Sequence, residues 1–143
     1  MLLDNVFGPM AILGPLFIRL ALAWVYIVHG YAKLFTQKPG VRRFSKRLEE
    51  LKVPFPLFFT LAVGIAEFFG GIALLLGIAT RWAALFLSIH MIVAIQKVAY
   101  KKGFTRGAEE AGYEFCVVLL AGSLALLVTG PGPISIEWVL GIR

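Results

Sequence analysis

FPLFFTLAVGIAEFFGGIALLLGI, residues 55–78, is the stretch that decides the fold. Its length is sufficient for a helix to cross the hydrocarbon core of a bilayer with some tilt. Glu67 is the only ionisable residue in it and falls near the midpoint. A carboxylate at the centre of a bilayer costs about 2.5–3.5 kcal/mol to insert, so it requires a partner or a function. The stretch therefore predicts a membrane-spanning helix with a polar group at mid-depth.

The composition of the whole chain agrees with a membrane protein. The 143 residues are 59% hydrophobic and only 15% charged, with a net charge of +6. A soluble domain of this size cannot bury so much apolar surface. The basic residues lie between apolar stretches, so their charge favours anionic lipid headgroups as partners rather than nucleic acid. The single cysteine, Cys116, excludes an internal disulfide and a CxxC redox pair.

Four apolar stretches predict one all-α membrane domain that comprises residues 1–143. The predicted spans are residues 11–35, 55–78, 82–100 and 113–129. The links between them are short, which favours a four-transmembrane-helix up-down-up-down bundle. Residues 38–52, between the first two spans, place Val41, Phe44 and Leu48 at helical spacing, with basic residues on the other side. This pattern predicts a short amphipathic helix on the cytoplasmic surface of the membrane; the alternative is a solvated linker helix.

The distribution of basic residues predicts the orientation. Eleven of the 14 Lys and Arg residues flank the first and third loops, and only Arg81 and Arg143 lie at the opposite ends of the spans. Basic loops stay in the cytoplasm. The sequence therefore predicts a multi-pass protein of the cell membrane with both termini on the non-cytoplasmic side.

Depth along the spans suggests a partner for Glu67. With a rise of about 1.5 Å per residue, Arg19 lies within roughly 5 Å of the midplane, and Glu67 and His90 lie near the midplane itself. Opposite charges in hydrocarbon are expected to pair, so we expect an Arg19–Glu67 ion pair with His90 beside it. Trp24, Tyr26 and Phe68 are available as the walls of a ligand pocket. The alternative is a pair that only sets helix register.

A second polar layer is expected roughly 10 Å closer to the cytoplasm. It contains His29, Lys33, Gln96, Lys97 and Glu114. Glu114 is a candidate salt-bridge partner of Lys33 or Lys97, although both lysines can instead extend to the headgroups. The depth difference between His29 and His90 disfavours one haem iron held by both, and no metal site is predicted.

Four blocks of sequence resemble the DoxX/DoxD family of small four-helix integral membrane proteins. They are HGYAKLF at 29–35, EFFGGIALLLG at 67–77 followed by Thr80 and Arg81, GYEF at 112–115, and GPGPISIE at 130–137. The departures from the family pattern are Ala111, Pro133 and Glu137. The resemblance implies a link to respiratory or redox systems, because relatives are described as subunits of quinol oxidase or thiosulfate:quinone oxidoreductase complexes, or as membrane partners of detoxifying enzymes. By the same analogy, Arg19, Lys33, Glu67 and Glu114 are the residues to test.

Three hypotheses for function follow. In the first, the protein is a subunit or partner of a membrane redox system whose polar centre binds a quinone, which needs one or two hydrogen-bond donors in an apolar cleft; no other cofactor is predicted. In the second, it is a non-enzymatic membrane anchor or assembly factor that recruits a soluble enzyme through the basic first loop. In the third, it is a small proton-coupled transporter. No catalytic residue can be assigned, and the small residues of the second span allow either tight packing in the bundle or a homo-oligomer.

Overall fold

The computed structural model describes residues 2–36, 40–99, 103–105 and 112–142. Within these ranges every regular element is helical. The α-helices are α1 (Leu2–Phe7), α2 (Gly14–Phe35), α3 (Arg42–Glu50), α4 (Pro56–Leu76), α5 (Thr80–Ala94), α6 (Glu114–Thr129) and α7 (Ile136–Val139). A 3-10 helix, Pro9–Leu13, leads into α2, and a π-helical turn, Ile95–Ala99, extends α5.

The four longer helices form a closed ring. Helix α2 packs on α4, α4 on α5, α5 on α6, and α6 again on α2. The link between α4 and α5 is only residues 77–79, and it reverses the chain with Gly77 and Ala79 both in the left-handed region. Proline occupies the first turn of α2 and of α4, where backbone amides lack helical partners in any case. The all-α class predicted from the sequence is confirmed.

Helices α2 and α4 run antiparallel in close contact. A side-chain carbon at Gly30 would collide with the backbone of Phe68, and one at Gly71 would lie 2.9 Å from the backbone nitrogen of Ile27. Glycine is therefore required at these two positions for the helices to approach so closely. These contacts also set the register: the residue that faces Glu67 is near position 31 of α2.

Several polar side chains are buried, and large apolar side chains cover the outside of the ring. The buried polar set is Arg19, Thr60, Glu67, Thr80, Ser88, Ser123 and Ser135. Along α2, residues 17, 20, 24, 28, 31 and 35 are large, apolar or aromatic, and exposed. This stripe of helical periodicity faces away from the bundle, as expected for a surface in contact with lipid.

Two stretches are long and apolar enough to cross a membrane by length and composition, within the residues that the structure describes. They are Pro9–Phe35, of 27 residues, and Pro56–Leu76, of 21 residues. Helix α6 is a shorter apolar helix, and α5 starts at Thr80, two residues before the predicted third span, and becomes π-helical after Ala94. The first two predicted spans thus correspond to α2 and α4, whereas four complete crossings stay a prediction.

The predicted amphipathic helix is present as α3. Leu48 is buried and Phe44 is half-buried against the bundle, while Arg42, Arg43 and Lys46 are exposed. Helix α3 packs on α4. At the other end of the bundle, the C-terminal segment folds back so that the Glu137 amide donates to the Gly77 carbonyl at 3.1 Å. Most of the predicted polar loop at residues 101–112 lies outside the described residues.

Candidate functional site

Glu67 forms the centre of a buried cluster that joins three helices. The residue is only 3% exposed and lies midway along α4. One carboxylate oxygen, Oε2, accepts a hydrogen bond from Nζ of Lys33 on α2, and the two side chains form a salt bridge. The other oxygen, Oε1, lies 2.9 Å from Nε2 of His90 on α5. Both carboxylate oxygens therefore have a partner, and each partner is contributed by a different neighbouring helix.

The predicted Arg19–Glu67 ion pair is wrong. Arg19 is 2% exposed, but its guanidinium donates to the carbonyls of Pro131 at 2.7 Å and Ile134 at 2.6 Å, in the C-terminal segment. It lies beside Gly77, the residue that follows α4, ten residues and roughly 15 Å along the helix direction from Glu67. The error came from equating the midpoints of two spans. The register of α2 against α4 is displaced from that alignment by about eight residues, or roughly 12 Å.

Lys33 takes the place that we expected Arg19 to occupy. Its side chain is 13% exposed, and Nζ also lies 5.0 Å from the centre of the Phe44 ring on α3. The contact of a lysine ammonium with an aromatic face is favourable. The sequence analysis assigned Lys33 to the second polar layer, so its pairing with Glu67 was missed. Gly30 and Gly71, which allow the close approach of α2 and α4, were a signal in the sequence that could have revealed it.

The predicted aromatic walls do not converge on the cluster. Trp24 is 74% exposed and faces outward. Tyr26 is fully buried, but its hydroxyl lies 3.2 Å from Oγ of Ser123 on α6. Phe68 is half-buried and packs against the rings of Phe35 and Phe69, with ring centres 5.6 and 5.4 Å away. Of the three, Phe68 alone follows Glu67 directly and remains a candidate for the edge of a ligand site.

The predicted second polar layer does not form as a unit. His29 is exposed, with its ring centre 5.8 Å from that of Phe115. Gln96 and Lys97 are exposed on the π-helical turn. Glu114 forms no salt bridge with any described residue, and the predicted link to Lys33 or Lys97 is therefore wrong within that part of the chain. Lys33 does not belong to this layer because its ammonium group pairs with Glu67.

The chemistry of the cluster centres on His90. A carboxylate can only accept, so the Nε2 atom of His90 carries the proton in the contact with Glu67. The remaining ring nitrogen, Nδ1, has no hydrogen bond to a described residue. In neutral histidine that nitrogen accepts a proton, and in the cation it donates one. With a side chain that is 16% exposed, His90 is placed to exchange a hydrogen bond with a ligand.

The structure describes the side chains that could hold a metal over residues 2–36, 40–99, 103–105 and 112–142. No group of three His, Cys, Asp or Glu side chains in these ranges is close enough to hold a metal ion. The cluster contains one carboxylate, one imidazole and one ammonium. Its donor set therefore suits a ligand with polar oxygens rather than a divalent cation.

Comparison with known proteins gives the family. The sequence model of the DoxX family matches residues 14–100. Inner membrane protein YqjF of Escherichia coli strain K12 is 29% identical over 127 residues, which cover 89% of this chain and 92% of that protein. "Putative oxidoreductase CatD" of Bacillus subtilis strain 168 is 27% identical over 118 residues, 82% of this chain and 80% of that protein. No solved structure matches the chain significantly.

Proposed function

Because the chain belongs to the DoxX family of membrane proteins, we propose that it is a membrane subunit of a redox system and binds a quinone headgroup beside Glu67. The binding residues are His90 and Lys33, with Phe68 at the edge of the site. The residue set differs from the one predicted from the sequence, because Arg19 and Trp24 are remote from Glu67 and Lys33 is adjacent to it.

One observation carries the proposal: Glu67 is bound on both sides, by Lys33 and by His90. These bonds orient the imidazole so that Nδ1 points away from the carboxylate. A quinone headgroup presents carbonyl oxygens, and a quinol presents hydroxyl groups. A protonated His90 donates to the former, and a neutral one accepts from the latter.

In this proposal, the electrons that reduce or oxidise the quinone come from or go to a second protein. Cys116 is the only cysteine, so the chain has no internal dithiol to oxidise or reduce. We propose that this chain binds the quinone and exchanges protons with it, while a partner subunit carries the redox centre. One relative bears a name that describes an oxidoreductase, which supports a redox context for this chain as well.

The proposed topology has four crossings, α2, α4, α5 and α6, with α3 on the cytoplasmic surface and both termini on the opposite side. The ring of four helices and their outward apolar surface support it. The basic residues of α3, together with Lys33 and Lys97, support the orientation in which this end of the bundle faces the cytoplasm. Single cysteines introduced into the Cys116→Ser protein, one on α3 and one in the C-terminal segment, test this arrangement: we expect labelling of the two positions from opposite sides of the membrane.

Quinone binding to the purified full-length chain in nanodiscs tests the function. We expect saturable binding of a ubiquinone or menaquinone analogue, and a loss of at least tenfold in affinity for His90→Ala. His29→Ala is the matched control, because His29 is the other histidine of the chain and lies outside the cluster. The affinity of the His29→Ala variant for the quinone analogue should equal that of the wild type.

Two results would contradict the proposal. One is the absence of saturable binding in protein whose helix content is intact. The other is an equal loss for the two histidine variants. Proton release driven by an added substrate in proteoliposomes, without quinone binding, would instead support the transporter hypothesis.

A further inference from the structure

A cleft lies between α3 and the start of α4, at the end of the bundle opposite the C-terminal segment. Its volume is about 790 Å³, within the range of about 300–1,000 Å³ that is typical of small-molecule sites. The lining residues are Val41, Arg42, Arg43, Ser45, Lys46, Glu49 and Leu57. Three cations and one carboxylate therefore surround the opening. The lining shares no residue with the Lys33–Glu67–His90 cluster, and the inference is independent of the quinone proposal.

The charged and the apolar residues of the lining belong to two different helices. Arg42, Arg43 and Lys46 are exposed and belong to α3. Leu57 belongs to the first turn of α4 and is 55% exposed. Phe58, next to it, is exposed as well. An anionic group bound by the three cations would thus have apolar side chains of α4 directly beside it, on the side of the membrane-spanning helix.

This arrangement matches one kind of molecule. We infer that the cleft binds the phosphate of an anionic phospholipid, whose acyl chains continue along the apolar surface at the start of α4. Arginine forms paired hydrogen bonds to phosphate, and two arginines lie adjacent here. Ser45 adds a hydroxyl donor on the same lining. A soluble anion would use the cations but would gain nothing from Leu57.

Helix α3 is held firmly enough to present such a site. Leu48 is buried, and the Phe44 ring packs on the ammonium of Lys33. These contacts fix the face of α3 that is turned to the bundle, and Arg42, Arg43 and Lys46 lie outside that buried face, where they line the cleft. The sequence predicts only a general attraction of the basic loop to the membrane surface. The structure assigns a defined place to one headgroup.

Native mass spectrometry of the delipidated full-length chain in detergent tests this site. Phosphatidylglycerol and phosphatidylcholine are titrated separately. The wild type should bind one phosphatidylglycerol in preference to phosphatidylcholine. The double variant Arg42→Gln/Arg43→Gln should bind phosphatidylglycerol roughly 30-fold more weakly, at about 1 kcal/mol for each lost cation. Arg42→Lys/Arg43→Lys, which retains the charge, should recover part of the affinity.

The matched control is Arg47→Gln/Lys52→Gln. It removes the same charge from the same loop, at two positions outside the lining of the cleft. If both double variants lost the same affinity for phosphatidylglycerol, the effect would be general charge attraction, and the proposed site would be refuted. Displacement of phosphatidylglycerol by millimolar inorganic phosphate would assign the cleft to a soluble anion. A wild type without preference for the anionic lipid would also refute the inference and would favour an acidic segment of a partner protein.

Discussion

Replacement of Glu67 by Gln removes one charge from the centre of the bundle and keeps the shape of the side chain. Lys33 and Glu67 have side-chain exposures of only 13% and 4%. Breaking a buried ion pair by removing one partner costs about 3–5 kcal/mol, because the other charge stays buried without compensation. We therefore expect Glu67→Gln to lower the free energy of unfolding by about that amount, with Lys33 as the uncompensated charge.

A double-mutant cycle separates this pair from every other effect of the substitution. Glu67→Gln combined with Lys33→Met removes both charges, so the double variant should be more stable than the sum of the two single losses predicts. The coupling between residues in direct contact is about 0.5–3 kcal/mol, and a buried charge pair belongs near the upper end. The assay is reversible unfolding in mixed micelles, with the transition followed by circular dichroism.

Arg19→Met supplies the comparison cycle. Arg19 contacts Gly77, roughly 15 Å along α4 from Glu67, and its hydrogen bonds are to the C-terminal segment. Residues so far apart are additive within about 0.5 kcal/mol. Strong coupling between Arg19 and Glu67, together with additivity between Lys33 and Glu67, would refute the register of α2 against α4 and the site derived from it.

Three further predictions concern other contacts. Gly30→Ala should destabilise the protein by about 1–3 kcal/mol in the same unfolding assay, because the added carbon collides with the backbone of α4. The control is Gly14→Ala, which should be neutral or stabilising because the space around Gly14 is open. Phe44→Leu keeps an apolar side chain but removes the ring beneath Lys33, and it should cost about 0.5–2 kcal/mol, an effect that should vanish when Lys33 is already Met. Glu137→Ala removes the carboxylate that accepts a hydrogen bond from the first amide of α5 at 2.6 Å. Loss of such a cap should lower the free energy of unfolding by about 0.5–2 kcal/mol. An unchanged unfolding midpoint would show that the C-terminal segment does not hold α5.

Local patterns in the sequence were enough to predict several elements. The apolar runs predicted α2 and α4 because a membrane span is a matter of length and composition. The spacing of Phe44 and Leu48 predicted α3 because amphipathic periodicity is read within a few turns. His90 was expected beside Glu67, and the two residues are in contact. The C-terminal block had no assigned role, although its Glu137 and its carbonyls bind α5 and Arg19.

The sequence by itself determined that this protein is helical and apolar, and that a lone carboxylate lies in the middle of its second long helix. Only the tertiary structure decided which cation neutralises that carboxylate. A helix that slides by two turns against its neighbour keeps the same apolar surface, so hydropathy cannot distinguish the registers. Backbone contacts at Gly30 and Gly71 do distinguish them, and they bring Lys33 to Glu67 and Arg19 to the C-terminal segment.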